Sequence, residues 1–470
     1  MPGPKLTLDY KNILSSAIGE SHGLLPAEVK KAASELPPLV AAIEKERGDG
    51  NHRYRDLPAD RKMLTQVLAA AKKHQRGIEN LVVLGIGGSA LGNIALQTAL
   101  NPAYYNLLPA GQRRGPRLFV MDNVDPTQFA ALLAALGPAI KNTLFNVISK
   151  SGETAETAAQ FTIVRDLLTR KLGARTARAR ILATTDPEGG TLREFATREG
   201  YDTLPVPPGV GGRFSVLSAV GLFSAALCGI DIKKLLAGAA DMSKRVAAPT
   251  VEKNPAAMLA LLLFQFYSRG KRMHVMMPYS HQLKDMADWY CQLWAESLAK
   301  VQDLQGRPTI VGPTPIRALG ATDQHSQVQL YREGPNDKVF IFLEVDKFAT
   351  DVKIANQRDL PDATKYLCGS TLGKLLNAEK RATEYALVAS QRPCLTIRFP
   401  AVNEHTVGQF IMLWEAATTI MGRLLNINPY DQPAVQLGKD FTYALMGKRG
   451  YESQARTFQK WATKSGKFVV

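Results

Sequence analysis

Cysteine is scarce. The 470 residues hold four, Cys228, Cys291, Cys368 and Cys394, widely separated, with no C-x-x-C pair and no histidine at zinc-ligand spacing. This excludes a disulfide framework and a zinc ribbon, and it implies reduced thiols in a reducing compartment. Long apolar runs are also missing: the greasiest stretches, Val216 to Ile230 and Ala256 to Phe266, fall short of the roughly 18 to 20 residues that a bilayer span requires. The opening MPGPKLTLDY lacks the apolar centre of a signal peptide. A cytoplasmic protein with no membrane partner is the expectation. Acidic residues are the minority charge, 42 against 58 Lys plus Arg, for a net +16. Such a surplus draws anions. Because the basic residues are dispersed, and the densest group (Arg165 to Arg180) carries no interleaved aromatics, nucleic acid is not expected and a phosphorylated small molecule is.

A chain with 45% hydrophobic and 21% charged residues at this length predicts a soluble protein of two or three domains. From Leu81 onward, short apolar runs end in Gly, Asp or Ser: LVVLGI, RLFVMD, TLFNVIS, RILATTD and YDTLPVP, spaced widely enough for helices between them. A second series follows with RMHVMMP, PTIVGP, KVFIFLEV and CLTIRF. The fold class read from this alternation is α/β, with two doubly wound parallel sheets. The expected division is an N-terminal arm over 1–50, a first domain over 51–240, a second over 255–440 and a basic C-terminal tail over 441–470. The pattern from Val402 to Leu425 predicts a long amphipathic closing helix.

Candidate chemistry sits where strands end. GIGGSALG (Gly85–Gly92) follows the LVVL run, and its glycines, Gly88 among them, let backbone N–H groups approach an anion at a helix start, with the Ser89 hydroxyl as a further donor. A tight turn uses the same glycines, and a dinucleotide loop is a rival. That rival needs an acid about 20 residues on, and none lies between Gly85 and Asp122. SKSGETAET places Ser149, Lys150, Ser151 and Thr154 at the next strand end. Hydroxyls, amides and one cation suit a phosphate monoester, although Ser followed by Glu or Thr also caps ordinary helices. GVGGRFSVLSAVG presents Arg213 after a run of glycines. In HQLKDMADWYCQLWAESLAK, helical spacing puts Gln292 and Glu296 on one face, opposite Leu283, Met286, Ala287, Tyr290 and Leu293. His325 lies in GATDQHSQ, and Lys439 ends DQPAVQLGK.

These blocks, in this order from about residue 80 to 440, resemble the signature segments of glucose-6-phosphate isomerases. The resemblance implies two flavodoxin-like sugar-isomerase domains, conversion of glucose 6-phosphate to fructose 6-phosphate in glycolysis and gluconeogenesis, and no metal or organic cofactor. It also implies roles. Glu296 matches the family's catalytic base and Gln292 its substrate-contacting glutamine; Arg213 matches the arginine beside the reacting carbons. His325 and Lys439 resemble the pair that opens the sugar ring, and Gln432 the glutamine upstream of that lysine. Gly88, Ser89, Ser149, Lys150, Ser151 and Thr154 resemble the phosphate cradle. The residues after Glu296 read Ser297, Leu298, Ala299 and Lys300, a departure from the common Glu-Ser-x-Gly-Lys. A homodimer with sites shared between subunits is implied too, the histidine crossing to the neighbour. A dual phosphoglucose/phosphomannose isomerase and a non-catalytic phosphosugar-binding regulator are the alternatives.

Overall fold

The computed structural model describes residues 3–357 and 359–463; the end of the expected C-terminal tail, 464–470, lies outside the described residues. Twelve strands fall in chain order as β1 (Thr7–Asp9), β2 (Asn80–Leu84), β3 (Arg117–Met121), β4 (Thr143–Ile148), β5 (Ile181–Thr185), β6 (Asp202–Pro205), β7 (Met273–Pro278), β8 (Lys300–Gln302), β9 (Pro308–Val311), β10 (Thr314–Arg317), β11 (Lys338–Val345) and β12 (Cys394–Phe399). One sheet has the order β3-β2-β4-β5-β6 and is parallel throughout. The other has the order β1-β12-β11-β7-β10, parallel except that β1, near the start of the chain, runs antiparallel along β12. The α/β class and its parallel sheets are therefore as expected.

Strand alternation sends side chains to two sides. In β2, Leu81 and Val83 enter one apolar core while Val82 and Leu84 enter another; in β11, Ile341 and Leu343 join the first core and Phe340 and Phe342 a third. Both sheets thus share one central core and keep a private core on their outer faces, which is why their strands read as continuous apolar runs rather than as alternating ones.

Two sequence expectations need correction. PTIVG is β9, but it pairs antiparallel with β8 in a separate two-stranded ribbon, and TPIR (β10) is the strand that extends the second sheet. Ile310 of β9 is 90% exposed, and only Val311 of this run packs against the central core. Pro315 is tolerated in β10 because that strand lies at a sheet edge. The expected amphipathic closing helix is Glu404–Leu424, and it is buried on every side from Thr406 to Gly422. It packs on the helices Ile232–Arg245, Pro255–Ser268 and Lys284–Leu298. Its polar positions read as a wet face; Gln409, Glu415, Thr418 and Thr419 are instead inside. Gly408 permits the approach, since a Cβ there would stand 2.0 Å from the Leu235 carbonyl oxygen. No helix among the described residues is long and apolar enough to cross a membrane.

Candidate active site

The first sheet, counted from its own first strand, has the order 2-1-3-4-5, which puts a topological switch point between β2 and β4. The loops leaving those two strands are Gly85–Ala90 and Ser149–Thr154. A cleft of about 850 Å³ opens there, lined by Ser89, Ser149, Lys150, Ser151, Thr154, Asp186 and the Gly209–Gly212 loop, and closed on the far side by Tyr430, Gln432 and Lys439. Gly88 lies at its back, where a Cβ would stand 2.2 Å from the Gly212 carbonyl carbon; only glycine lets the two loops touch. The second loop is held from within: the Gly152 N–H donates to Ser149 Oγ at 3.0 Å, and the Ser149 and Thr154 hydroxyls are 3.3 Å apart. Thr154 precedes the helix Ala155–Arg178, yet its side chain accepts no backbone N–H from it. The simple capping role that the sequence allowed is therefore not the one observed. Hydroxyls, a lysine and the open start of a helix face one cleft, the donor set an anionic oxygen group requires.

Beside this cleft is a buried arginine. Arg213 follows the glycines on a 3-10 turn, Gly212–Phe214, and only 2% of its side chain is exposed. Its Nε donates to Ser297 Oγ at 2.7 Å, Nη1 to Gln432 Oε1 at 2.8 Å, and Nη2 to the carbonyls of Pro429 at 2.8 Å and Asp431 at 3.1 Å. Burial lowers its affinity for the proton, opposed by Glu296 and Asp431, but a guanidinium stays charged at neutral pH. Glu296 ends the helix Lys284–Leu298, one turn after Gln292. Its Oε1 is 3.6 Å from Arg213 Nη1, and its Oε2 accepts from Gln292 Nε2 at 3.2 Å. At 26% side-chain exposure the carboxylate is neither a solvated surface acid nor sealed, so it can exchange a proton with a bound molecule. Gln292 also abuts the first loop, its Nε2 lying 2.9 Å from where a Cβ on Gly87 would stand.

Gln432 joins the two groups, lining the cleft and holding Arg213. Lys439, on the helix Gln436–Leu445, faces the cleft from the chain's last third. His325 is the exception. It follows the 3-10 turn Thr322–Gln324 with an exposed side chain, and among the described residues it forms no hydrogen bond to Glu296, Arg213 or either loop. Sequence reasoning missed Ser297 as an acceptor, and also Lys300, which donates to the Glu296 and Ser297 carbonyls at 3.3 and 2.8 Å and pairs with Asp431 at 3.6 Å. Burial lowers the Lys300 ammonium's pKa, with Asp431 pulling it back up. The signal for Ser297 and Lys300 was their adjacency to Glu296. Asp431 offered only a place in the INPYDQP loop.

The family model for phosphoglucose isomerase matches residues 58–464. A curated relative, glucose-6-phosphate isomerase of Carboxydothermus hydrogenoformans, is 42% identical over 466 residues, 99% of each chain. The glucose-6-phosphate isomerase of Rubrobacter xylanophilus is 41% identical over 449 residues, 95% of this chain and 99% of its own. Among solved structures, a hypothetical protein from Thermus thermophilus superposes with a TM-score of 0.83 at 36% identity, covering 94% of this chain and all of its own. A glucose-6-phosphate isomerase from Chlamydia trachomatis shares the fold, with a TM-score of 0.80 at 20% identity over 97% and 92% of the two chains.

Proposed function

The chain belongs to the phosphoglucose isomerase family, and from that membership we propose how its own residues interconvert glucose 6-phosphate and fructose 6-phosphate. The interconversion itself follows from near-full-length identity to enzymes of that name. The observation that carries the mechanism is the Glu296 carboxylate held between Gln292 and Arg213, beside a cleft rich in phosphate donors.

The phosphate sits among Ser89, Ser149, Lys150, Ser151 and Thr154, against the backbone at Gly88. Anchoring the non-reacting end holds the sugar's C1 and C2 against Glu296, so binding energy there lowers the barrier at the other end. Lys439 and the partner subunit's His325 handle the proton of the ring oxygen, releasing the open-chain aldose. Glu296 then removes the proton from C2; the C2–H electron pair forms the C1=C2 double bond and the carbonyl pair moves onto O1. Transfer of the O2 proton to O1 gives the enediolate whose charge lies on O2. Collapse of that oxygen's pair forms the C2 carbonyl as Glu296 returns its proton to C1 on the same face. One carboxylate serves both transfers. Arg213, already oriented by four hydrogen bonds, meets the developing negative charge without reorganisation. Gln292 and Gln432 orient the base and the arginine.

The same reading places the enzyme in the cytoplasm, supported by four cysteines that are all free thiols, and makes it a homodimer, supported by the exposed His325 side chain, which among the described residues makes no hydrogen bond to the residues it is expected to serve. Isomerisation of fructose 6-phosphate in deuterated water tests the proton transfer, with deuterium expected at C2 of the glucose 6-phosphate formed. Complete absence of solvent deuterium after many turnovers would point to a hydride shift and overturn it. Parallel rates with mannose 6-phosphate separate a strict glucose enzyme from a dual one.

A further inference from the structure

Three of the four hydrogen bonds that orient Arg213 go to one short strap, to the carbonyls of Pro429 and Asp431 and to the Gln432 amide oxygen. The guanidinium can be no better placed than that strap. On one side Lys300 ties it by the ion pair to Asp431. On the other, Tyr430 turns its ring inward, 5.4 Å from both Phe214 and His52, and its hydroxyl meets Thr419 Oγ1 at 2.8 Å and His52 Nδ1 in a short contact. The His52 side chain is only 1% exposed, and its Nε2 lies 2.8 Å from the Glu46 carboxylate, which also takes Arg423. A carboxylate only accepts, so Nε2 carries the ring proton and Nδ1 is left to accept from the Tyr430 O–H. A phenylalanine would fill the same space at 430. The buried hydroxyl and imidazole fix an orientation that packing alone does not.

We infer that His52 is a positioning residue for the isomerisation: through the Tyr430 hydroxyl it holds the 428–432 strap in the register that seats Arg213. The inference rests on the role proposed for Arg213. Residue 52 lies 378 positions from Tyr430 in sequence, so a segment just past the expected N-terminal arm, with Glu46 of that arm behind it, reaches the strap through this contact.

The test compares Tyr430→Phe, His52→Gly and His52→Asn with Arg213→Lys. His52 has a φ of 53°, where alanine is strained while glycine and asparagine are tolerated, so Gly removes the ring without backbone strain and Asn keeps an acceptor near the Nδ1 position. For Tyr430→Phe and His52→Gly, kcat for fructose 6-phosphate is expected to fall roughly five- to thirtyfold, the scale of one or two hydrogen bonds. KM and competitive inhibition by inorganic phosphate should stay within about twofold of wild type: Tyr430 lines the cleft, but its hydroxyl is bonded to Thr419 and His52, and neither change alters a phosphate donor. His52→Asn should recover part of kcat, and adding Tyr430→Phe to Arg213→Lys should cost nothing further, because the seat is already lost. Wild-type kcat in both Tyr430→Phe and His52→Gly overturns the inference, as does a loss accompanied by equal weakening of KM and phosphate inhibition, which marks a general structural role. Full kcat in Arg213→Lys removes the premise instead, a distinct result that retires the role of Arg213 and the strap's purpose together.

Discussion

Ser297 accepts a 2.7 Å hydrogen bond from Arg213 Nε, one residue beyond the carboxylate that the same guanidinium approaches at 3.6 Å. The Glu296 carboxylate and the Arg213 guanidinium are therefore positioned by adjacent residues of one helix end, and a shift of that end moves both together. Ser297 is fully buried, so the bond has no competition from water. In Ser297→Ala the Nε–H loses its partner inside the protein, and kcat is expected to fall about tenfold, the scale of one buried charged hydrogen bond. Steady-state kinetics with fructose 6-phosphate check this; an unchanged kcat would show that the remaining acceptors suffice.

Glu296→Gln keeps size and packing and removes the carboxylate proposed as the base. Turnover should drop at least about a hundredfold, since general-base contributions run to roughly 10²–10⁴, while calorimetry still detects sugar-phosphate binding. Near-normal turnover would return Glu296 to an ordinary partner of Arg213.

Two buried groups give opposite dependences of stability on pH. His274 accepts from Trp294 Nε1 at 3.1 Å, and burial lowers its pKa from 6.5 to about 3. The unfolded chain therefore binds this proton first, and the contribution is full above pH 6.5 and lost as pH falls toward 3. Among the described residues neither Glu415 carboxyl oxygen has a hydrogen-bond partner, and burial raises its pKa well above 4.5. Here the folded state holds the proton longer, so stability declines as pH rises above 4.5. In urea unfolding across pH, the wild-type minus His274→Gln difference should shrink on the acid side. For Glu415→Gln, which cannot ionise, the variant should gain on wild type as pH rises, on the order of 1 kcal/mol or more by neutrality. A pH-independent difference in either pair would refute the assignment.

What was legible in the sequence is what local pattern controls. Ser89 and Ser149 could be placed because each follows a short, mostly apolar strand, and Gln292 and Glu296 because a four-residue step stays on one helix face. His52 and Tyr430 could not be paired, because nothing near either residue signals a contact across most of the chain. PTIVG and TPIR differ little as strand formers, and tertiary packing alone decides that the second extends the sheet. The Glu404–Leu424 helix misled because Thr418, Thr419 and Gln409 look like a wet face, whereas each finds a hydrogen bond inside the protein.

The exposed position of His325 leads to the last prediction, that each active site takes its histidine from the other subunit of a two-fold dimer. Glu296→Gln and His325→Ala are each expected to be inactive alone. When the two are dissociated together and reassociated at equal concentration, a mixed dimer gathers both defects at one site and neither at the other. Random pairing makes half the dimers mixed, and half of their sites are intact, so activity should return to about a quarter of wild type. Tagging one variant for pull-down verifies that mixed dimers form. If they do and activity stays at the level of the separate variants, His325 serves its own chain or none, and the shared site falls.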